Sequence, residues 1–374
     1  MTQSIEPSMT QSIEPSMTQS IEPSVTQSIE QEQIAKGAQL SDLPRVHGRP
    51  SISGLIRSLP ADFIVKESLA FELTGSGEHL YVLIRKTGQN TRWITRQLAR
   101  RLNLPMKAIG YAGLKDRRAV TEQWFSIHLP GQQDPDIESL GIEGVEVIET
   151  HRHAGKLRTG ALSGNHFRLV LRELQGDLSD LESRLVGIKT QRIPNYFGEQ
   201  RFGHSGANLT LFGNLERPEK LDRAARSFGF SAMRSALFNN YLGQRIEDGS
   251  WDSAMSGEIV WLVEASRYAH EPAVTAADGP MWPTGLLWGQ GDNQSTGAAL
   301  VQENEYFSQY PHICGFLCAH EVRMMRRPLA LQVSDLRWEI SENEAIVEFG
   351  LARGQYATVV LRELGDFQSV SGAR

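Results

Sequence analysis

The chain has 374 residues, 40% hydrophobic and 22% charged, a balance typical of a protein that folds around an apolar core. That length exceeds what one core usually serves, so about two domains are expected. The sequence contains no run of about 18 apolar residues and no signal-peptide pattern, and we therefore expect a cytoplasmic protein without a membrane span. Cys314 and Cys318 form a lone C-x3-C, which favours two reduced thiols over a zinc site or a disulfide.

The net charge of −6 is distributed unevenly along the sequence. Residues 1–35 contain five glutamates and no lysine or arginine, so the remainder carries only −1. Residues 85–118 contain ten lysines and arginines and a single acid, Asp116, and residues 151–172 add five basic residues without an acid. A solvated helix face explains most charge runs. Two unopposed basic runs around one carboxylate nevertheless favour contact with a polyanion such as a nucleic acid.

The first thirty residues repeat an octad, with MTQSIEPS present three times and followed by VTQSIE. A period of eight matches neither a helix nor a known solenoid unit, and each complete copy contains a proline near its end. Such a segment buries too little apolar surface to offset the entropy lost on ordering. We therefore predict a disordered tail over residues 1–35, with the folded chain beginning near residue 50.

Strands and helices alternate between residues 50 and 190 without a strict β-α-β order. Asn90 or Thr91 is a plausible N-cap for a helix whose apolar residues recur at helical spacing until Pro105. Period-two alternation predicts strands around 59–67, 79–84, 108–112, 123–129, 145–150 and 166–172. This mixture predicts an α+β fold with a mixed, largely antiparallel sheet.

Residues 191–335 differ in character, because helices and long loops predominate there. Strand and helix patterns return at 345–349 and 355–364. If the last strand rejoins the first sheet, the protein has a discontinuous catalytic domain over 50–190 and 336–374. Residues 191–335 would then form an inserted α/β domain.

Asp116 lies in a polar loop between two predicted strands, where functional residues are often held by a rigid sheet. Its basic neighbours favour an ionised carboxylate and could equally contact phosphates. Most tetrads such as Lys-Asp-Arg-Arg are surface turns with weak ion pairs. The loop alone therefore favours a surface turn over a catalytic site.

Five separated motifs, in order, change that balance. They are Asn90-Thr91 with GYAGLKDRRAVTEQW at 110–124, GALSGNHF at 160–167, PNYFGEQRFG at 194–203, RSALFN at 234–239 and GQYAT at 354–358. Together they closely resemble the signature of TruD-type tRNA pseudouridine synthases, over about residues 50–364. Several motifs in register are far more specific than one short motif.

The resemblance implies the pseudouridine-synthase fold with an inserted TRUD domain, and it makes Asp116 the catalytic carboxylate. The family detaches uracil from C1′ of the ribose, turns it and rejoins it through C5. The carboxylate either attacks C1′ or assists formation of a glycal, and the sequence does not separate these routes. The resemblance requires no metal or cofactor.

Five further residues match positions of the family's active site. Asn165 and Phe167 form its Asn-x-Phe motif, in which the ring could stack on the flipped uracil or could simply be a core residue of its strand. Phe63 matches another aromatic residue of the site. Tyr356 stands where the family often has Phe, and Arg57 stands where relatives carry Lys, as a basic partner for Asp116 or as a surface residue without a role.

The basic residues next to Asp116 are candidates for phosphate contacts. We assign RNA binding to Lys115, Arg117 and Arg118. Arg201, in the motif that opens the inserted domain, is a further candidate, although the aromatic residues around it are as well explained by packing at a domain junction.

The leading hypothesis is a tRNA pseudouridine synthase, with uridine-13 as the position implied by the resemblance. tRNA is the expected partner of a monomeric enzyme, and no protein partner or membrane is implied. A non-catalytic RNA-binding protein is the competing class, and the presence of Asp116, Asn165 and Phe167 together argues against it. A two-carboxylate hydrolase lacks a second acid near Asp116, with Glu122 the nearest alternative.

Overall fold

The computed structural model describes residues 25–211 and 221–370. Between residues 25 and 190 the structure contains three α-helices and seven strands. The helices are α1 (Val25–Gly37), α2 (Thr91–Arg101) and α3 (Leu178–Thr190). The strands are β1 (Ser53–Ile56), β2 (Phe63–Leu69), β3 (His79–Thr87), β4 (Ile109–Tyr111), β5 (Val120–His128), β6 (Val145–His153) and β7 (Leu162–Gln175).

The second half begins with a region of helices and strands and ends with three strands and a helix that belong to the C-terminal part of the chain. Its helices are α4 (Ala207–Thr210), α5 (Arg223–Glu247), α6 (Gly297–Phe307), α7 (Pro311–Ala319) and α8 (Ala357–Leu364). The strands up to residue 331 are β8 (Ile193–Pro194), β9 (Ile259–Leu262), β10 (Arg267–His270), β11 (Met281–Leu287), β12 (Met325–Pro328) and β13 (Ala330–Leu331). The last strands are β14 (Ser334–Ile340), β15 (Glu344–Ala352) and β16 (Asp366–Ser369).

One large mixed sheet organises the molecule. Its main path runs β14-β15-β7-β2-β5-β3-β6, with β1 and β16 beside β7 and with β4 beside β5. Only the β1–β16 and β2–β5 pairs among these are parallel. The predicted α+β fold with a largely antiparallel mixed sheet is therefore confirmed. The strands between residues 259 and 328 form a separate four-stranded antiparallel sheet, and β8 pairs with β13.

The register of the large sheet decides which side chains share a face. Val65 pairs with Phe167 and Glu67 pairs with Asn165 across β2 and β7, so all four lie on one face. One end of that face is covered by α2, whose Ile94 and other apolar residues pack on β3 and β5. The other end belongs to a core shared with α3, α5, α8 and the small strands. The face between these two covers holds the site described below.

Helix α2 forms because its sequence combines a good cap with one apolar face. Asn90 is the N-cap, and its side chain accepts a hydrogen bond of 2.8 Å from the backbone N–H of Trp93. Ile94 and Leu98 are fully buried, whereas Arg92, Arg96 and Arg100 are exposed. The helix therefore presents a basic face without a neutralising acid of its own.

The prediction of disorder is wrong for residues 25–35, and residues 1–24 lie outside the described residues. Helix α1 begins in the last octad copy and packs on α5 and α7. Ile34 is buried, and the Asn240 side chain donates a hydrogen bond of 2.8 Å to the Gln33 carbonyl. Glu30 is only 1% exposed because its carboxylate accepts the N–H groups of His312 and Ile313 at the start of α7. These tertiary contacts supply the order that the octad composition lacks.

No helix among residues 25–211 and 221–370 is both long and apolar enough to span a bilayer.

Candidate active site

The loop that carries Asp116 connects β4 to β5 and is fixed through its backbone. The N–H of Lys115 donates a hydrogen bond of 3.0 Å to Oγ1 of Thr91, the first residue of α2. The Gln123 side chain donates one of 2.5 Å to the Gly113 carbonyl, and it also accepts one of 2.9 Å from Thr91. The loop is therefore tied to both a helix start and a strand, which gives Asp116 a defined position.

A buried lysine supports the same loop from below. Lys86 is fully buried, and its ammonium donates hydrogen bonds of 2.8 Å to the backbone carbonyls of Asp116 and Gln89. Burial lowers the pKa of Lys86 to about 8, while the carboxylate of Asp116 acts in the opposite direction. In the sequence Lys86 is one of several basic residues of the run 85–118, and nothing there distinguishes a buried lysine on β3 from an exposed one.

The carboxylate of Asp116 remains accessible, with 40% of its side chain exposed. Its Oδ2 lies 3.3 Å from Nη1 of Arg57, and its Oδ1 accepts a hydrogen bond of 3.1 Å from the Arg118 N–H. The structure thus brings together Asp116 and the basic residue that the resemblance suggested as its partner. A half-exposed, paired carboxylate can meet a substrate without first being uncovered.

Arg57 is held in a restrained position. Its backbone has φ 59°, in the left-handed region that a non-glycine residue rarely adopts and that costs about 1–3 kcal/mol. Its guanidinium lies 4.1 Å from the centre of the Phe63 ring, an arrangement typical of a cation–π contact. Burial lowers the pKa of Arg57, and the nearby Asp116 carboxylate opposes that shift. The predicted site residue Phe63 therefore supports the cation that faces Asp116.

Lys115 points into the protein rather than towards a phosphate. Its side chain is 9% exposed, its ammonium lies 3.0 Å from a Glu67 carboxylate that is fully buried, and it also donates a hydrogen bond to Oδ1 of Asn165. This position differs from the prediction of Lys115 as an RNA contact, because alternation along the loop turns residues 114 and 116 outward and residue 115 inward. Sequence reasoning missed Glu67, which lies on the same face of β2 as Phe63 and Val65.

Two of the predicted aromatic residues, Phe63 and Phe167, pack together on the same face of the sheet. Phe167 is 7% exposed, stacks on Phe349 with ring centres 5.4 Å apart, and meets Phe63 edge to face at 6.2 Å. This packing supports the interpretation of Phe167 as a core residue of β7. Tyr356 lies at the start of α8, half-buried, with its ring 6.1 Å from that of Phe197.

The remaining predicted RNA contacts lie in two places. Arg117 and Arg118 are exposed beside Asp116, and Nε of Arg117 donates a hydrogen bond of 2.7 Å to the Gly88 carbonyl. Arg201 lies farther along the chain, half-buried, with its guanidinium 5.0 Å from the Phe197 ring centre and its Nε 3.1 Å from Oγ of Ser235.

The second acid suggested for a hydrolase belongs to the opposite face of the sheet. Glu122 alternates with Thr121 and Gln123 and forms ion pairs with Arg85 at 3.0 Å and with Lys66 at 3.6 Å. Within residues 25–211 and 221–370 there is no group of three or more His, Cys, Asp or Glu side chains suited to a metal ion.

The family model described as tRNA pseudouridine synthase D (TruD) matches residues 44–228 and 214–364. Among curated proteins, tRNA pseudouridine synthase D of Methylococcus capsulatus is 42% identical over 339 residues, covering 87% of this chain and 95% of the relative. The protein of the same name from Xanthomonas axonopodis pv. citri is 42% identical over 354 residues, covering 88% and 96%.

A solved structure has the same fold. The crystal structure described as tRNA pseudouridine synthase D of Methanosarcina mazei superposes with a TM-score of 0.66, covering 90% of this chain and 97% of that one, at 24% identity. At that identity the likeness concerns the arrangement of the chain and not its chemistry.

Proposed function

The chain belongs to the TruD family of tRNA pseudouridine synthases, and we propose that it isomerises uridine-13 of tRNA to pseudouridine with Asp116 as the catalytic carboxylate. The observation that carries this proposal is the geometry of Asp116. Its backbone carbonyl accepts a hydrogen bond from Lys86, and its loop is bonded to Thr91 through the Lys115 N–H. Its side chain is nevertheless 40% exposed, and the carboxylate lies 3.3 Å from the Arg57 guanidinium. The isomerisation exchanges an N1–C1′ bond for a C5–C1′ bond, and the C5 proton is lost as N1 gains one.

The position of Arg57 suits either route of that reaction. In the first route the Asp116 carboxylate attacks C1′ as the uracil leaves, and in the second it assists removal of a ribose proton to give a glycal. Both routes need an anionic carboxylate held at one place, and the guanidinium of Arg57 stabilises the anion while Phe63 fixes the guanidinium.

The surroundings suit an extruded nucleotide on a structured RNA. A uridine within folded tRNA has to leave its stack to reach Asp116. The exposed Arg117 and Arg118, with the basic face of α2, are proposed to hold phosphates during that step. Lys115 is proposed to position Asn165 instead, since its ammonium already bonds to Asn165 and Glu67.

The division into domains follows the same proposal. In the large sheet β14 pairs with β15, β15 pairs with β7, and β16 pairs with β1. The strands from 259 to 328 form a separate sheet. This arrangement supports a catalytic domain built from 50–190 and 336–374 with residues 191–335 inserted.

The test is to incubate the purified protein with unmodified tRNA transcripts and to map pseudouridine at nucleotide resolution. We expect modification at position 13 by the wild type and a loss of about 10³-fold or more in the Asp116→Asn variant. Binding of tRNA by Asp116→Asn should persist and serves as the folding control. A wild type that makes no pseudouridine, or a variant of normal activity, contradicts the proposal, and modification elsewhere contradicts only the position.

A further inference from the structure

Two arginines lie beside Phe197, at the start of the region 191–335, and a third lies on α5 next to the serine that one of them contacts. The guanidinium of Arg327 is 4.1 Å from the centre of the Phe197 ring, and that of Arg201 is 5.0 Å from the same centre. Arg234 comes from α5, next to Ser235, whose hydroxyl accepts the Nε hydrogen bond of Arg201. We call Arg201, Arg234 and Arg327 the arginine cluster.

The hydrogen bonds found for the cluster within residues 25–211 and 221–370 all go to neutral acceptors. Arg327 donates to the Asn195 carbonyl at 3.1 Å, to the Asn195 side chain at 2.5 Å and to the Gly354 carbonyl at 2.9 Å. Arg234 donates to the Arg323 carbonyl at 2.9 Å, and its buried Nε has no hydrogen-bond partner there. The cluster therefore concentrates three positive charges without an ion pair among the described side chains.

Four arginines whose side chains are no more than 7% exposed behave differently, because each pairs with a carboxylate. These pairs are Arg184 with Asp180 at 2.9 Å, Arg245 with Glu258 at 3.0 Å, Arg326 with Glu303 at 2.9 Å and Arg362 with Glu363 at 2.9 Å. A desolvated cation is costly unless an anion compensates it. Burial lowers the pKa of both Arg234 and Arg327, and the charge of Arg201 lowers each further. The cluster thus has the electrostatics of an anion site whose anion is not part of the described chain.

The cluster borders the face of the sheet on which Asn165 lies. Gly354, bonded to Arg327, follows the end of β15, where Ala352 pairs with Gly164 beside Asn165. Tyr356, a predicted wall of the nucleotide pocket, meets Phe197 at 6.1 Å. All three arginines are only half-buried, so an anion can approach from solvent.

We propose that the arginine cluster binds a backbone phosphate of the RNA next to the nucleotide that enters the Asp116 site. Arg201 and Arg234 would contact the phosphate directly. Arg327, which bonds to Asn195 and Gly354, would attract the phosphate by its charge without contacting it. The proposal rests on the proposed function for the identity of the RNA, although not for the presence of an anion site. A guanidinium is well matched to a phosphate because its planar fork can donate two parallel hydrogen bonds.

The test measures tRNA binding as a function of salt, in the Asp116→Asn background so that no turnover occurs. Arg201→Gln and Arg234→Gln should each raise Kd about tenfold at low salt. Each should also reduce the slope of log K against log[salt] by about 0.7–0.9, the value of one lost phosphate contact. Arg168→Gln is the matched control, since Arg168 pairs with Glu348 at 3.2 Å on the other face of the sheet, and its slope should equal the parent's.

Two further measurements keep a packing role distinct from phosphate binding. Thermal unfolding without RNA establishes that each variant is folded, and Arg201→Lys, which retains the charge, should keep the parental slope even if Arg201→Gln does not fold. The proposal is overturned if folded Arg201→Gln and Arg234→Gln keep the parental slope of log K against log[salt]. It is also overturned if Arg201→Lys lowers that slope as much as Arg201→Gln does. If the wild type made no pseudouridine while the slopes changed as expected, the proposed function would fail and the phosphate site would stand.

Discussion

Two buried carboxylates are each neutralised by a neighbouring cation, in different parts of the molecule. The pairs are Lys115–Glu67 beside the Asp116 loop and Arg245–Glu258 in the region 191–335. In both, the carboxylate side chain is no more than 1% exposed and lies 3.0 Å from its cation. The Arg245 guanidinium makes its other hydrogen bonds to Tyr241 and to groups of the following turn, including Ser250. The pair itself joins α5 to Glu258, the residue before β9.

The Lys115 pair also connects to residues of the proposed site. Its ammonium also bonds to Asn165, and its backbone belongs to the loop that presents Asp116. Burial and ion pairing alone therefore do not mark a functional residue. What distinguishes the Lys115–Glu67 pair is that Asp116, the next residue in the chain, is exposed to solvent.

Removing one partner should have the largest effect on stability at the Arg245 pair. Arg245→Met leaves Glu258 buried without its cation, which costs about 3–5 kcal/mol in the free energy of unfolding. Arg245→Met/Glu258→Met should recover much of that loss, and turnover per folded molecule should stay normal in both. Urea unfolding with tRNA turnover at low temperature measures these quantities. A folded double variant of strongly reduced turnover would place this pair in the site.

The matched change beside the loop should separate stability from activity. Lys115→Met leaves Glu67 unpaired and should destabilise the protein, while Lys115→Met/Glu67→Met should recover stability. We expect turnover of the double variant to remain about 10²-fold below that of the wild type, because Asn165 and the loop have lost their common support. We expect the loss to appear in kcat and not in KM, and measuring the two constants separately checks this. Full recovery of kcat would make the two pairs equivalent.

Helix α1 provides an intermediate case, a buried carboxylate that supports a distant helix. Glu30 accepts hydrogen bonds at the start of α7, at 3.2 Å from the His312 N–H and 3.0 Å from the Ile313 N–H. Glu30→Ala should cost about 1–2 kcal/mol of stability, in the range of a lost helix cap. Removal of residues 1–37 should cost more, and removal of residues 1–24, which keeps α1, is the control. Equal stability for the two truncations would show that α1 contributes nothing.

A last comparison concerns Lys86, the buried lysine whose ammonium bonds to the backbone carbonyl of Asp116. Because the pKa of Lys86 is lowered from its usual 10.5 to about 8, the unfolded chain binds more protons than the folded protein between those values. This group's contribution to stability therefore rises as the pH increases through that window. The free energy of unfolding of the wild type, relative to Lys86→Gln, should increase between pH 8 and pH 10. A pH-independent difference would mean that Lys86 titrates normally.

The family, the mixed sheet and the Asp116 loop could be predicted from the sequence, whereas the N-cap of α2 was narrowed only to Asn90 or Thr91. These follow from local chemistry and from motifs in order, both of which are written along the chain. The basic composition of residues 85–118 was equally visible.

Which of those basic side chains are buried depends on the tertiary structure. Lys86 and Lys115 belong to the same basic run as Arg117, yet the pleat of β3 and the alternation of the loop bury the first two and leave the third exposed. Likewise α1 is ordered by α5 and α7, about 200 residues or more away, and composition cannot report such contacts. Burial is a property of what covers a side chain, and what covers it comes from distant parts of the sequence.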